Sequence, residues 1–484
     1  MDAHPDPTEA LAPPTGSVPA PSGPAGAAEP APRPSTPTPA PRSSEPTPGP
    51  HSLEPEPVRR SSAPAPEPEP EPEPGSEPYR LDAAGGCPHA VNARLRARGA
   101  VVPVLLPGDV EGMVVLGHDA LRDFLADPDV AKGPQHFTAL AEGRVPEGWP
   151  LRTFATVPGM TTADGADHRR LRTLVSSAFT ARRVEELRPR VAAVTEGLLD
   201  GLAEAAAADG GVADLRRHYA LPLPLGVICE LFGVDPAHQD RLHHLSSLVV
   251  ATDTEPARAV AANRELHGLL TAIAEDKAAH PGDDLTSALI ATRDAGGDRL
   301  DQQELIGTLM LMIVAGHETT LNLVTNAVRA LCAHRDQLAL VTGGRHSWAE
   351  AVEETLRWDS PVSYFPFRYP TRDLTVDGTL VPRGTPVLAG YSAAGRDPAA
   401  HGPDADRFDL TRAGATRHLS LGHGPHYCLG APLARMEAAV ALEALFTRFP
   451  ELDLAVPEAG LTRHAGFVGN SVRDLPVRLG PAAR

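Results

Sequence analysis

The chain has 484 residues, a formal charge of −18 and four cysteines, and 25 of its 52 prolines fall before residue 79. That balance excludes general nucleic-acid binding, which needs a basic stripe to meet phosphate. Cys87, Cys229, Cys332 and Cys428 show no CxxC pairing, which suits a reducing cytoplasm and not a disulfide scaffold.

Residues 1–78 are mostly Pro, Ala, Ser, Thr and Glu, ending in a Glu-Pro repeat over 67–74. Such a segment lacks the apolar side chains that offset ordering entropy, so a disordered tail is expected there. Residues 79–484 are expected to form one body. No basic and then apolar leader opens the chain, and the longest apolar stretch, 305–315, is about half the ~20 residues a membrane span requires. No membrane span is expected, and the chain is expected in the cytoplasm, as a monomer.

From Tyr79 onward helical patterns dominate, over 91–98, 118–126, 168–178, 182–208, 225–232 and 256–280. Strand-like runs are short: 101–106 with 112–116 around a Pro-Gly turn, and 374–390 punctuated by Asp377-Gly378 and Pro382-Arg383-Gly384. The longest helix starts at an Asp301 cap with Glu304 three residues on and runs without proline to about His334. Its middle is apolar on nearly every side yet contains Ala315-Gly316-His317-Glu318-Thr319-Thr320. A carboxylate buried there needs a partner or a purpose, because leaving it unpaired costs several kcal/mol.

Near the C-terminus the order is Gly422-His423-Gly424-Pro425-His426-Tyr427-Cys428-Leu429-Gly430-Ala431-Pro432, followed by an amphipathic run over 433–449. The glycines allow tight turning and close approach to a flat cofactor. Pro432 suits a first helical turn, so Cys428 sits just ahead of a helix N-terminus whose amides and dipole favour a thiolate.

This Gly-x-Gly-x-His-x-Cys-x-Gly frame resembles the haem-binding loop of the cytochrome P-450 family, with Leu421 where the family usually has Phe. Other motifs follow in the family's order. Ala315, Gly316, Glu318 and Thr319 resemble its oxygen-activation motif. Glu354-Thr355-Leu356-Arg357 resembles its Glu-x-x-Arg, with Arg407 as the arginine that completes a buried ion cluster. His168 and Arg172 resemble its His-x-x-x-Arg; with Arg368 and His426 they occupy the positions that hold haem propionates, and His418 is a weaker candidate. Gly395 departs from the family's usual Asn.

The resemblance implies a mainly α fold with a small β region, the cytochrome P-450 helical prism, with haem between the long central helix and the Cys428 loop. The cofactor implied is haem b (heme b, iron protoporphyrin IX), with Cys428 as the metal ligand. Gly316, Gly422, Gly424 and Gly430 give the cofactor room, and Glu318 and Thr319 are the catalytic pair, supplying the protons that dioxygen activation consumes. The implied activity is a monooxygenase that inserts one oxygen atom from O2 into a small, largely apolar organic substrate of secondary-metabolite type. The chain has no flavin or iron–sulfur motif, so electrons would come from NAD(P)H through a reductase and a ferredoxin or flavodoxin-type donor. Family position puts the pocket at 135–160, 250–254, Ile313, Val314, 363–367, Phe467 and Val468. Alternatives are peroxide-driven oxidation, coupling or desaturation at the same centre, a non-catalytic haem sensor, and a proline-rich arm that docks partners.

Overall fold

The computed structural model describes residues 77–81, 87–178, 180–250, 254–292, 297–414 and 417–483. The proline-rich leader through residue 76 lies outside the described residues, as do pocket candidates 251–253.

The fold is organised around the helix Gln302–Ala333. Asp301 and Glu304 cap it reciprocally, each side chain accepting from the other's backbone N–H, so the first turn's free donors are satisfied. At 1.5 Å per residue its 32 residues span about 48 Å. Helices Pro222–Leu231, Pro256–Ala279, Trp348–Trp358 and Ala431–Arg448 pack along it. They enclose most of it in a core that includes Leu309, Ile313, Val324, Ala327 and Leu331.

The run expected as one helix over 182–208 is two, Ala181–Glu186 and Arg188–Ala208. Pro189 explains the break, since it has no N–H to give the preceding turn and suits only a helix's start. Helix Gln239–Val250 was not among the expected elements.

Val101–Leu106 and Val110–Val115 pair antiparallel, with Val101 opposite Val115. Val387–Ala389 lies parallel to the second and antiparallel to Phe365–Pro370. Val130–Ala131 then pairs with Phe365–Pro370, Ala131 opposite Tyr369. The last pairing brings Lys132 beside Arg368, two cations far apart in sequence. Asp377 and Gly378 take positive φ of 47° and 76° in the hairpin between Leu374–Val376 and Thr379–Val381, as an Asp-Gly turn requires. Among the described residues, no helix is long and apolar enough to cross a membrane.

Candidate active site

Cys428 stands ahead of helix Ala431–Arg448, with Pro432 in that helix's first turn, as the sequence led us to expect. Its backbone N–H donates to the Leu421 carbonyl at 2.8 Å, closing the loop beneath the sulfur. Gly424 has φ +71°, and a Cβ there would lie 2.7 Å from the Leu125 carbonyl. Its bareness therefore seats the loop on helix His118–Ala126. Gly422 also has positive φ, +77°, whereas a Cβ on Gly430 would meet only the Cys428 sulfur, 4.0 Å away. Burial pushes the Cys428 thiol up, while the Gly430 and Ala431 amides, Arg172 and Arg435 pull it down. Burial wins, although the amides at the helix end act in the expected direction, towards the thiolate.

Five basic side chains, Lys132, His168, Arg172, Arg368 and His426, converge beside the loop. The His168 ring lies tilted against that of His426 with centroids 4.0 Å apart. Arg368 is 3% exposed and donates to the Phe367 carbonyl at 3.3 Å. Lys132, 4% exposed, reaches the Pro366 carbonyl only at 3.5 Å. Burial first, then Arg368, His168, Lys132 and Arg172, push His426 down to about 2. The Lys132 ammonium is likewise held well below the usual lysine range by burial and then Arg368. Asp164, a carboxylate that acts on Lys132, His168 and Arg368, accepts the backbone N–H groups of Lys132 and Gly133 at 2.8 and 2.7 Å. His168 Nε2 is buried with no hydrogen-bond partner among the described residues. Such a surplus of basic side chains over carboxylates fits a cofactor that brings two carboxylates, as haem does. Lys132 escaped the sequence reading, although it is one of only two lysines in the chain and that rarity was visible.

On the central helix the Thr319 hydroxyl donates to the Ala315 carbonyl at 2.8 Å, the back-bond expected of a mid-helix threonine. Ala315 is exposed in the middle of this otherwise buried helix and faces the open side with Thr319. Gly316 differs from expectation: a Cβ there would sit 3.0 Å from Ile228, so its missing side chain serves the packing of helix Pro222–Leu231. Glu318 accepts from the Ser247 hydroxyl at 2.8 Å. Burial raises its carboxyl, but His317, Ser247, Arg216 and His243 together hold it below the usual range.

Glu354 and Arg357 meet through two parallel hydrogen bonds of 2.7 Å, both side chains fully buried. Arg407 does not complete this cluster; it contributes only its backbone carbonyl, 2.8 Å from Arg357 Nη2, and is itself exposed. Arg412 takes that place, with Nε 3.9 Å from Glu354 and its side chain 8% exposed. His418 is also reassigned. It pairs with Glu353 at 3.3 Å, away from the five cations, and Arg435 joins the same carboxylate.

Much of the expected pocket is core. Phe137, Trp149, Tyr364, Phe367 and Phe467 are buried in one cluster, with Trp149 stacked on Phe367 at 5.5 Å.

Residues 349–456 match the family described as Cytochrome P-450. The chain is 40% identical to 2-hydroxy-5-methyl-1-naphthoate 7-hydroxylase of Streptomyces carzinostaticus over 403 residues, 83% of this chain and 97% of that one. It is 40% identical over 392 residues to the monooxygenase PikC of Streptomyces venezuelae, 81% of this chain and 91% of that one. Among solved structures, CYP154C4 from Streptomyces sp. W2061 superposes with a TM-score of 0.81 at 42% identity, covering 84% of this chain and 99% of that one.

Proposed function

The chain belongs to the cytochrome P-450 family, and from that premise we infer how its own residues serve the reaction. It is a monooxygenase that inserts one oxygen atom from O2 into a small organic substrate, with haem as cofactor and electrons delivered by redox partners. Bound haem supplies the reduction of dioxygen and the transfer of one oxygen atom.

Cys428 is the iron's sulfur ligand. The haem would be haem b, whose two carboxylates His168, Arg172, Arg368 and His426 would hold, with Lys132 as a fifth basic group. These groups bind and orient; none has to change protonation in turnover. Thr319 holds a hydroxyl on the open face of the central helix, where it can pass a proton through water. Glu318 is held ionised by its surroundings and can take up a proton from solvent and hand it on. The electron donor is a ferredoxin or flavodoxin-type protein with its NAD(P)H reductase. Residues 79–484 form the single haem domain, and the chain works in the cytoplasm as a monomer. The relatives' names include a naphthoate hydroxylase and a 6-deoxyerythronolide B hydroxylase, which supports a small, largely apolar organic substrate.

The observation that carries the haem assignment is the convergence of five basic side chains, Lys132, His168, Arg172, Arg368 and His426, with Lys132, His168 and Arg368 buried. The test is the absorption spectrum of the reduced, carbon-monoxide-bound protein. A thiolate-type spectrum that disappears in Cys428→Ala supports the reading, and histidine-type ligation, or a thiolate spectrum surviving that substitution, overturns it.

A further inference from the structure

We propose that His243, His317 and Glu318 form a second metal site, separate from the haem iron, that takes a divalent transition-metal ion of the zinc class. Helix Gln239–Val250 supplies His243, and the central helix supplies the other two. The three donor atoms lie within 4.8 Å of one another. His243 Nδ1 is 3.2 Å from His317 Nε2, while Glu318 Oε1 is 3.8 Å from the first and 3.7 Å from the second. Zinc bonds of roughly 2.0–2.2 Å to nitrogen and oxygen place tetrahedral ligands about 3.3–3.5 Å apart, so adjustments of a few tenths of an ångström suffice.

The tautomers suit this use. His317 Nδ1 lies 2.8 Å from the Ile313 carbonyl, an acceptor, and so it carries the ring's proton. That leaves a lone pair on Nε2, pointing at the other two donors. A metal-bound histidine is commonly fixed in this way, its second nitrogen donating to a backbone carbonyl. His243 donates from Nδ1 to His317 without metal; moving that proton to Nε2 frees a second lone pair with no net proton release. Burial lowers His243, and the Glu318 carboxyl is held below its usual range, so both favour the form that binds a cation. The His243 side chain is 28% exposed, which gives an ion a way in.

Two neutral imidazoles and one carboxylate are a common zinc set that leaves a fourth position open. An ion here ties helix Gln239–Val250 to the central helix and draws Glu318 away from proton transfer. Zinc should therefore slow turnover. This regulatory half rests on the role proposed above for Glu318; the binding half does not.

The experiment uses the full-length holoprotein dialysed against Zn2+, with metal and haem counted together. The expected result is one zinc per chain in addition to the iron. In His243→Ala, affinity falls at least about tenfold while the ferrous carbon-monoxide spectrum is unchanged. X-ray absorption at the zinc edge of wild-type protein should read imidazole and carboxylate ligation, which keeps the test independent of the variant's folding. No zinc beyond the iron, sulfur ligation of the zinc, or equal affinity in His243→Ala overturns the site. Zinc should also slow substrate-dependent NAD(P)H oxidation severalfold in wild type and not in the variant. Unchanged turnover with zinc bound overturns the link to Glu318 and leaves the haem assignment, read from the carbon-monoxide spectrum, untouched.

Discussion

The rings of His168 and His426 lie 4.0 Å apart at a 36° tilt, brought together by a helix and a loop 258 positions apart in sequence. Two imidazoles tolerate that contact when neither is charged, yet Arg368, Arg172 and Lys132 crowd the same place. An arrangement so poor in anions costs stability in the protein alone and is relieved by a ligand that carries them.

Lys132 and Arg368 should therefore matter more for holding haem than for folding. We expect Lys132→Met to leave the unfolding midpoint of the apoprotein unchanged or higher while haem dissociates several times faster. Transfer of haem to excess apomyoglobin measures the second, and urea titration the first. A lower apoprotein midpoint with normal haem retention would count against Lys132 as a propionate partner.

Glu318→Gln removes an acid but keeps its shape. Turnover should fall by about 10²-fold, the lower range for loss of a positioned proton donor, with the ferrous carbon-monoxide spectrum unaltered. Thr319→Ala should divert NAD(P)H electrons into hydrogen peroxide, seen as product formed per NAD(P)H consumed. Full coupling in Thr319→Ala would remove that residue from the proton path.

The buried cluster around Glu354 separates two arginines by stability. Glu354→Gln leaves Arg357 buried without its counter-charge and should cost about 3–5 kcal/mol. Arg412→Ala should cost about 2 kcal/mol and Arg407→Ala less than about 0.5 kcal/mol, since only the latter's side chain is exposed. Denaturant titration of the three variants ranks them; equal losses for the two arginines would contradict the placement.

Glu353 gives a pH signature. His418 and Arg435 hold its carboxyl down to about 2 from an ordinary 4.5, against the opposing effect of burial. A depressed carboxylate contributes stability that is present above pH 4.5 and lost as pH falls toward 2. Glu353→Gln should thus lower the thermal midpoint at pH 7, with the gap to wild type closing below pH 4.5. A gap independent of pH would show that charge is not the cause.

The parts of this site that were legible in the sequence share one property: each is set by local spacing. Cys428 ahead of Pro432, the Asp301–Glu304 cap and the Asp377-Gly378 turn depend on residues within a few positions of each other, and each stands where spacing put it. What escaped depends on distant pairings. Lys132 joins Arg368 because strands 130–131 and 365–370 pair, and Arg412 replaces Arg407 because only its side chain turns inward. Helix Gln239–Val250 was missed because its apolar stripe, Leu242, Leu245 and Val249, is diluted among polar residues, although those three are buried. Gly316 was misread for another reason: a bare helix position shows that something comes close, not what. Ile228 is what comes close.

The strand Val387–Ala389, lodged between Val110–Val115 and Phe365–Pro370, sets a schedule for biogenesis. An amino-terminal hairpin complete by residue 115 must wait on the ribosome for about 270 further residues before its neighbour in the sheet exists, and Cys428 emerges later still. A nascent chain stalled before residue 387 would therefore expose an unpaired sheet edge to chaperones.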